Sequence, residues 1–336
     1  QRRQDLLLTL FAVVAFAQFV YGILAIVAGF RRRKAGERGL TDILVGAMTS
    51  VGALMGGVVG IGIFGLAGAG GAWGRPLRIR GKQLHPSLTE GADWTDGPRP
   101  DPRGLDVATR RALEALWLHD AQKEHASVPA FSRVSWLLAA AGAPAELLVW
   151  CHRAATEEIE HTRACFALAA GYGDRTFTVE PMPELLLGGL DGTVDPRITL
   201  AIESLSDGCQ LEDFNADVAA ACADVCEEPV TRTVLERIAI EERSHAELSW
   251  AILTWLVERH REVVTAPLAS AMVALDRYAR PTAVAADKLS LVNMADPALL
   301  RSHGRLRDDE WQAAWDARLV ATRTRLHALE GVRRAA

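Results

Sequence analysis

Aromatic side chains are scarce in this 336-residue chain, at 6 %, and only Tyr21, Tyr172 and Tyr278 are tyrosines. Strands draw on aromatic and β-branched residues, so their scarcity beside abundant Ala and Leu favours helices. Cysteine is sparse too. Cys151, Cys165, Cys209, Cys222 and Cys226 are odd in number and form no C-x-x-C pair. That argues against a disulfide scaffold, a zinc ribbon and an in-chain rubredoxin-like iron site, and leaves them as small buried residues. Charge of one sign is also lacking: the net charge is −5 and the pI near 6.0. Nothing in that balance suggests a nucleic-acid partner.

Long apolar runs, by contrast, are present. Leu6 to Phe30 is almost wholly apolar and lies between Arg2-Arg3 and Arg31-Arg32-Arg33-Lys34. About 25 helical residues at 1.5 Å each would cross a hydrocarbon core of roughly 30 Å. A second charge-free run, Ile43 to Gly74, carries Gly52, Gly56 and Gly60 at a spacing of four. Small residues so spaced let membrane helices approach closely, which makes this face a candidate for a membrane-protein or homo-oligomer contact. The expectation is a two-helix transmembrane hairpin over residues 1–74 with the lipid bilayer as partner. Basic residues flank both runs, so the side of the membrane stays open.

Beyond it, residues 75–105 are rich in Pro, Gly, Asp and Arg and read as a linker, with a short extended piece at Leu77–Leu84. Asp106 can cap a helix running to about Ala141, and Gly142 and Pro144 break it. A second helix reaches about Ala170, followed by a long Gly/Pro-rich connection. Asp195-Pro196 opens a third helix to about Cys226, and Pro229 a fourth ending near His260. Short, long and short connections suit an all-α four-helix bundle over 106–261 with one crossover. Residues 262–336 form a C-terminal helical extension, with helices at about Val263–Arg280 and Asp308–Glu330.

Chemistry concentrates in one repeated motif. Glu157-Glu158-Ile159-Glu160-His161 returns as Glu241-Glu242-Arg243-Ser244-His245, the Glu-x-x-His copies lying about 84 residues apart. On a helix, positions i and i+3 share a face, so each copy can grip one metal ion from one side. Cys151, Ala154, Ala155, Cys165 and Ala169 share the face of the first copy; Leu235, Ile238, Ala246 and Leu253 share that of the second. A Glu and a His on such an apolar stripe are costly unless something pairs with them.

Two such helices leave a metal pair short of ligands, so the other two should each supply a carboxylate. Glu124 shares a face with Trp117, Ala121, Ser127, Val128 and Phe131 at a suitable height, whereas Glu114 lies too far along and His125 points about 100° away. Pro129 should bend this helix near the site. On the third helix, Glu212 lies 17 residues before Pro229 and Glu203 lies 26 before it. Glu203 would be misplaced by on the order of 13 Å, so Glu212 is preferred and Glu203 is the fallback. Asp207 and Asp213 read as outer hydrogen-bond partners or, preferentially, surface charge.

Glu124, Glu158-x-x-His161, Glu212 and Glu242-x-x-His245 together resemble the ferritin-like di-iron carboxylate superfamily over about residues 106–260. Glu124-His125-Ala126-Ser127-Val128 and Asp207-Gly208-Cys209 resemble, more closely, a bacterial ferritin-like group. The resemblance implies two iron ions, with manganese or a mixed pair as alternatives. Glu158 and Glu242 would bridge them, with Glu124 and His161 on one side and Glu212 and His245 on the other. No catalytic residue beyond these six is expected. The three tyrosines are badly placed for a radical of the ribonucleotide-reductase kind, and a membrane hairpin fits poorly into a storage shell.

The leading expectation is an O₂- or peroxide-dependent oxidoreductase anchored in a bacterial inner membrane, fed by an external electron donor, with a hydrophobic substrate. The alternatives are a ferroxidase or iron-handling protein, and a non-enzymatic metal-binding subunit of a membrane complex.

Overall fold

The computed structural model describes residues 74–79, 82–187, 194–275 and 282–331, all within one compact unit, Leu66–Ala336. The expected hairpin over residues 1–74 lies outside the described residues but for Gly74. Among the described residues, no helix is long and apolar enough to cross a membrane.

The described chain is mostly helical. Helix α1 (Val107–Ala140) starts where expected, because Asp106 accepts a hydrogen bond from the Thr109 amide at 3.0 Å. It continues through Pro129 as one element. Helix α2 (Ala145–Gly173) follows the Pro144 break and ends at Asp174, in the left-handed conformation. The third stretch is less regular than its sequence suggests. Helix α3 (Pro196–Glu203) passes into a π-helical segment, Ser204–Glu212, before helix α4 (Asp213–Val225). Helix α5 (Pro229–Arg259) is capped by Glu228, which accepts from the Thr231 amide. These four helical stretches pack side by side: α1 on α2 and α3, α2 on α5, and α5 on α4 and the π segment.

Gly208 explains how the π segment meets α5. A Cβ there would collide with the Ser249 side chain, so only glycine permits this approach. Such segments carry one extra residue per turn and are frequent at functional sites.

The rest packs around this core. Helix α6 (Arg261–Leu275) lies against α3, and α7 (Leu289–Val292) and α8 (Pro297–Ser302) against α1. Helix α9 (Asp308–Gly331) covers α4 and the π segment. Residues read as a linker are in fact fastened to the core. Strands β1 (Arg78–Ile79) and β2 (Lys82–Gln83) form a hairpin, and β3 (Leu88–Glu90) pairs antiparallel with β4 (Phe177–Val179) in the connection after α2. Arg75 and Leu77 are buried.

Asp207 and Asp213 are buried, contrary to the surface expectation. Asp207 pairs with Arg78 at 2.5 Å. Asp213 pairs with Arg243 and, at 2.9 Å, with Arg318 of α9. Arg318 also reaches Asp217 at 2.6 Å, and Thr322 donates to the Cys209 carbonyl in the π segment at 3.2 Å. Helix α9 therefore clamps the irregular stretch from outside. Arg318→Ala would leave Asp213 and Asp217 with Arg243 as their remaining cation, so it should destabilise the protein by about 2 kcal/mol, measured by urea unfolding.

Candidate metal centre

Two separate apolar clusters leave a polar layer between them. Along α1, Ala121 belongs to one and Phe131 to the other, with Glu124 between. Glu158 and His161 lie between Ala154 and Cys165 of α2, and Glu242 and His245 between Ile238 and Leu248 of α5. Glu212 lies between Cys209 and Phe214. All six layer residues are 0 % exposed.

Their ligating atoms converge in two groups. Glu124, Glu158, His161 and Glu242 form one, and Glu158, Glu212, Glu242 and His245 the other, the atoms of each lying within 4.8 Å of one another. Glu158 and Glu242 are common to both. The Glu158 Oε2 lies 3.5 Å from His161 Nδ1, and its Oε1 lies 3.3 Å from His245 Nδ1. Glu242 likewise points Oε1 at His161, at 3.7 Å, and Oε2 at His245, at 4.0 Å. Glu124 and Glu212 each stand 3.8 Å from one imidazole, that of His161 and of His245 respectively. The fallback Glu203 is elsewhere, half-buried and paired with Arg133 at 2.9 Å. Glu114 pairs with Arg175, and the His125 ring packs edge-on against Trp94.

The donor set fits divalent ions. All eight carboxylate oxygens of these glutamates, and the Nδ1 atoms of both histidines, are buried without a hydrogen-bond partner. Buried polar atoms left so are expensive, and ten in one layer call for cations. Ligands at roughly 2.1 Å from a shared ion stand about 3–4 Å apart, the spacing seen here. Four carboxylates also balance two divalent charges, and an oxygen-rich set with one imidazole per ion suits iron or manganese.

The imidazoles are held for this role from behind. His161 Nε2 meets Glu241 at 2.7 Å, and His245 Nε2 meets Glu157 at 2.9 Å. Each outer glutamate comes from the opposite Glu-x-x-His helix and is itself bound by an arginine, Arg237 for Glu241 and Arg153 for Glu157. A carboxylate on Nε2–H fixes the tautomer and aims the Nδ1 lone pair into the layer. Glu157 and Glu241 recur one residue before each motif glutamate, and that recurrence is the sequence signal for the role.

Electrostatics follow from the crowding. Burial, then Glu158, pushes Glu124 well above the usual carboxylate range; burial, then Glu212, does the same to Glu242. Burial would also raise Glu158, but the two imidazoles that face it hold it below that range. Burial would lower the histidines, yet the carboxylates around them raise both well above the ordinary value.

The chain matches no family model, no curated protein and no solved structure. The reading of the centre therefore stands on its own geometry. That geometry makes Glu157 and Glu241 measurable contributors: Glu157→Ala and Glu241→Ala should each weaken Co(II) binding by roughly 10–100-fold in competitive titration. Glu203→Gln should leave it unchanged.

Proposed function

We propose that the chain is a ferritin-like di-iron carboxylate protein that acts as an O₂- or peroxide-dependent oxidoreductase. The observation that carries this reading is the set of ten unpaired ligand atoms, eight carboxylate oxygens and two imidazole nitrogens, buried between two apolar clusters. Glu124, Glu158, His161, Glu212, Glu242 and His245 would hold the ions. The connections support the bundle part of the reading: α1 and α2 are joined by residues 141–144, and α4 and α5 by 226–228, with 174–195 as the long crossover.

When bound, a pair of Fe(II) ions supplies two electrons to reduce O₂ or peroxide. The chain's residues prepare the place. Glu158 and Glu242 offer an oxygen to each side and so keep the two positions close. Glu157 and Glu241 retain the Nε2 protons, which keeps Nδ1 free for the layer. The surrounding Phe131, Leu205, Phe214 and Leu253 exclude bulk water, which strengthens every interaction in the layer. Because carboxylates outnumber imidazoles, the set favours the harder, oxidised ions. Anchoring through the N-terminal apolar runs belongs to the same proposal and supports a hydrophobic substrate delivered from the bilayer.

The test is O₂ consumption by anaerobically Fe(II)-loaded protein. Wild type should take up two Fe(II) per chain and oxidise them on mixing with O₂. His161→Ala and His245→Ala should abolish this, while Glu160→Gln, a partly exposed neighbour paired with Arg163, should not. Product analysis with added lipid or quinone then separates substrate oxidation from oxidation of iron alone. Protein that binds no iron, or holds Fe(II) unchanged in air, rules the reading out.

A further inference from the structure

The six layer residues come from four long helical stretches, yet a fifth piece of chain reaches them: the extended stretch Gly74–Ile79. Gly74 has φ +69°, and a Cβ there would collide with the Ser127 side chain and lie 2.9 Å from Glu124 Oε2. Glycine is thus required both for the backbone turn and for the close approach to a layer carboxylate. The Ser127 hydroxyl donates to the Arg75 carbonyl at 3.1 Å, tying the stretch to α1. Downstream, Leu77 is buried against Ala126 and Ala130, and Arg78 pairs with buried Asp207.

Arg75 turns inward, only 3 % exposed. Its Nη1 donates to Ser249 Oγ at 3.3 Å, one turn after His245, and Ser249 in turn donates to the His245 carbonyl. Its Nη2 donates to the Glu203 carbonyl at 3.1 Å, at the head of the π segment that ends in Glu212. The Nη1 atom would also lie 3.2 Å from a Cβ at Gly208. The guanidinium lies over the Phe131 ring, 5.4 Å from its centroid, and that ring meets the His245 imidazole edge-on at 5.1 Å. One planar, rigid group thus touches α1, the π segment and α5 around the same imidazole. Lysine, a point charge on a flexible stem, could not span both acceptors in this way.

We propose that Arg75 is a positioning residue of the centre, fixing the π segment against α5 so that Glu212 and His245 hold one of the two ions. This deepens the di-metal reading and rests on it. Arg75 is bonded around the Glu158, Glu212, Glu242, His245 group; contact with the other group comes through the Gly74 backbone, which substitution of the Arg75 side chain leaves in place.

The experiment compares full-length wild type, Arg75→Ala and Arg75→Lys by calorimetric Co(II) titration and by amide hydrogen exchange without metal. In Arg75→Ala, one of the two Co(II) ions should bind roughly tenfold or more weakly while the other keeps its affinity. Arg75→Lys should fall between. Exchange should quicken at Ser204–Glu212 and His245–Ser249 and stay unchanged around Glu124 and His161. Equal weakening of both ions, or none, overturns the proposal. Wild type that binds fewer than two Co(II) defeats the di-metal reading instead. The exchange pattern then decides for Arg75: quickening confined to those two stretches supports its role, and no change or quickening throughout overturns it.

Discussion

Four carboxylates with no hydrogen-bond donor, stacked between two apolar clusters, are the constraint on which the rest depends. A single buried carboxylate generally escapes the cost of burial by taking a proton or a partner. Here four stand together, and the groups nearest them are two imidazoles already committed on their far side to Glu157 and Glu241. Cations entering the layer would relieve that cost, and the crosswise pairing of each imidazole to the opposite motif helix makes α2 and α5 interdependent as well as adjacent.

The same demand accounts for the irregular third stretch. Glu212 must point into the layer while the π segment approaches α5 closely enough to exclude a side chain at Gly208. A π segment shifts the residues after it around the helix axis relative to those before it, at the expense of ordinary hydrogen bonding. Its carbonyls find donors from outside: Thr322 of α9 for Cys209, and Arg75 for Glu203 at its head. Two distant parts of the chain, one near each end of the described residues, therefore stabilise one turn of helix.

Much of the architecture was legible because it is written in local chemistry. Asp106, Pro144, Asp195-Pro196 and Pro229 punctuate helices by capping and by the proline ring, and those boundaries hold within a few residues. The choice of Glu212 over Glu203 followed chiefly from rise per residue. What could not be read depends on partners remote in sequence. Asp207 and Asp213 looked like surface charge since nothing near them announces Arg78, Arg243 or Arg318. The π segment leaves no local mark beyond Gly208, and a Pro/Gly-rich composition describes how a stretch bends without saying what it docks against.

The apolar runs and the metal layer read as separate modules in sequence, joined by a spacer. In the structure, Gly74, the last residue of the second run, lies against Glu124, and Arg75 after it lies around His245. A flexible linker would leave the layer untouched; Arg75 is instead buried and bonded to two helical stretches. Displacing it would cost its hydrogen bonds to Ser249 and Glu203 and strip a cation from beside the layer. Gly74 and Arg75 are thus built into the wall of the layer, Gly74 against Glu124 and Arg75 beside His245.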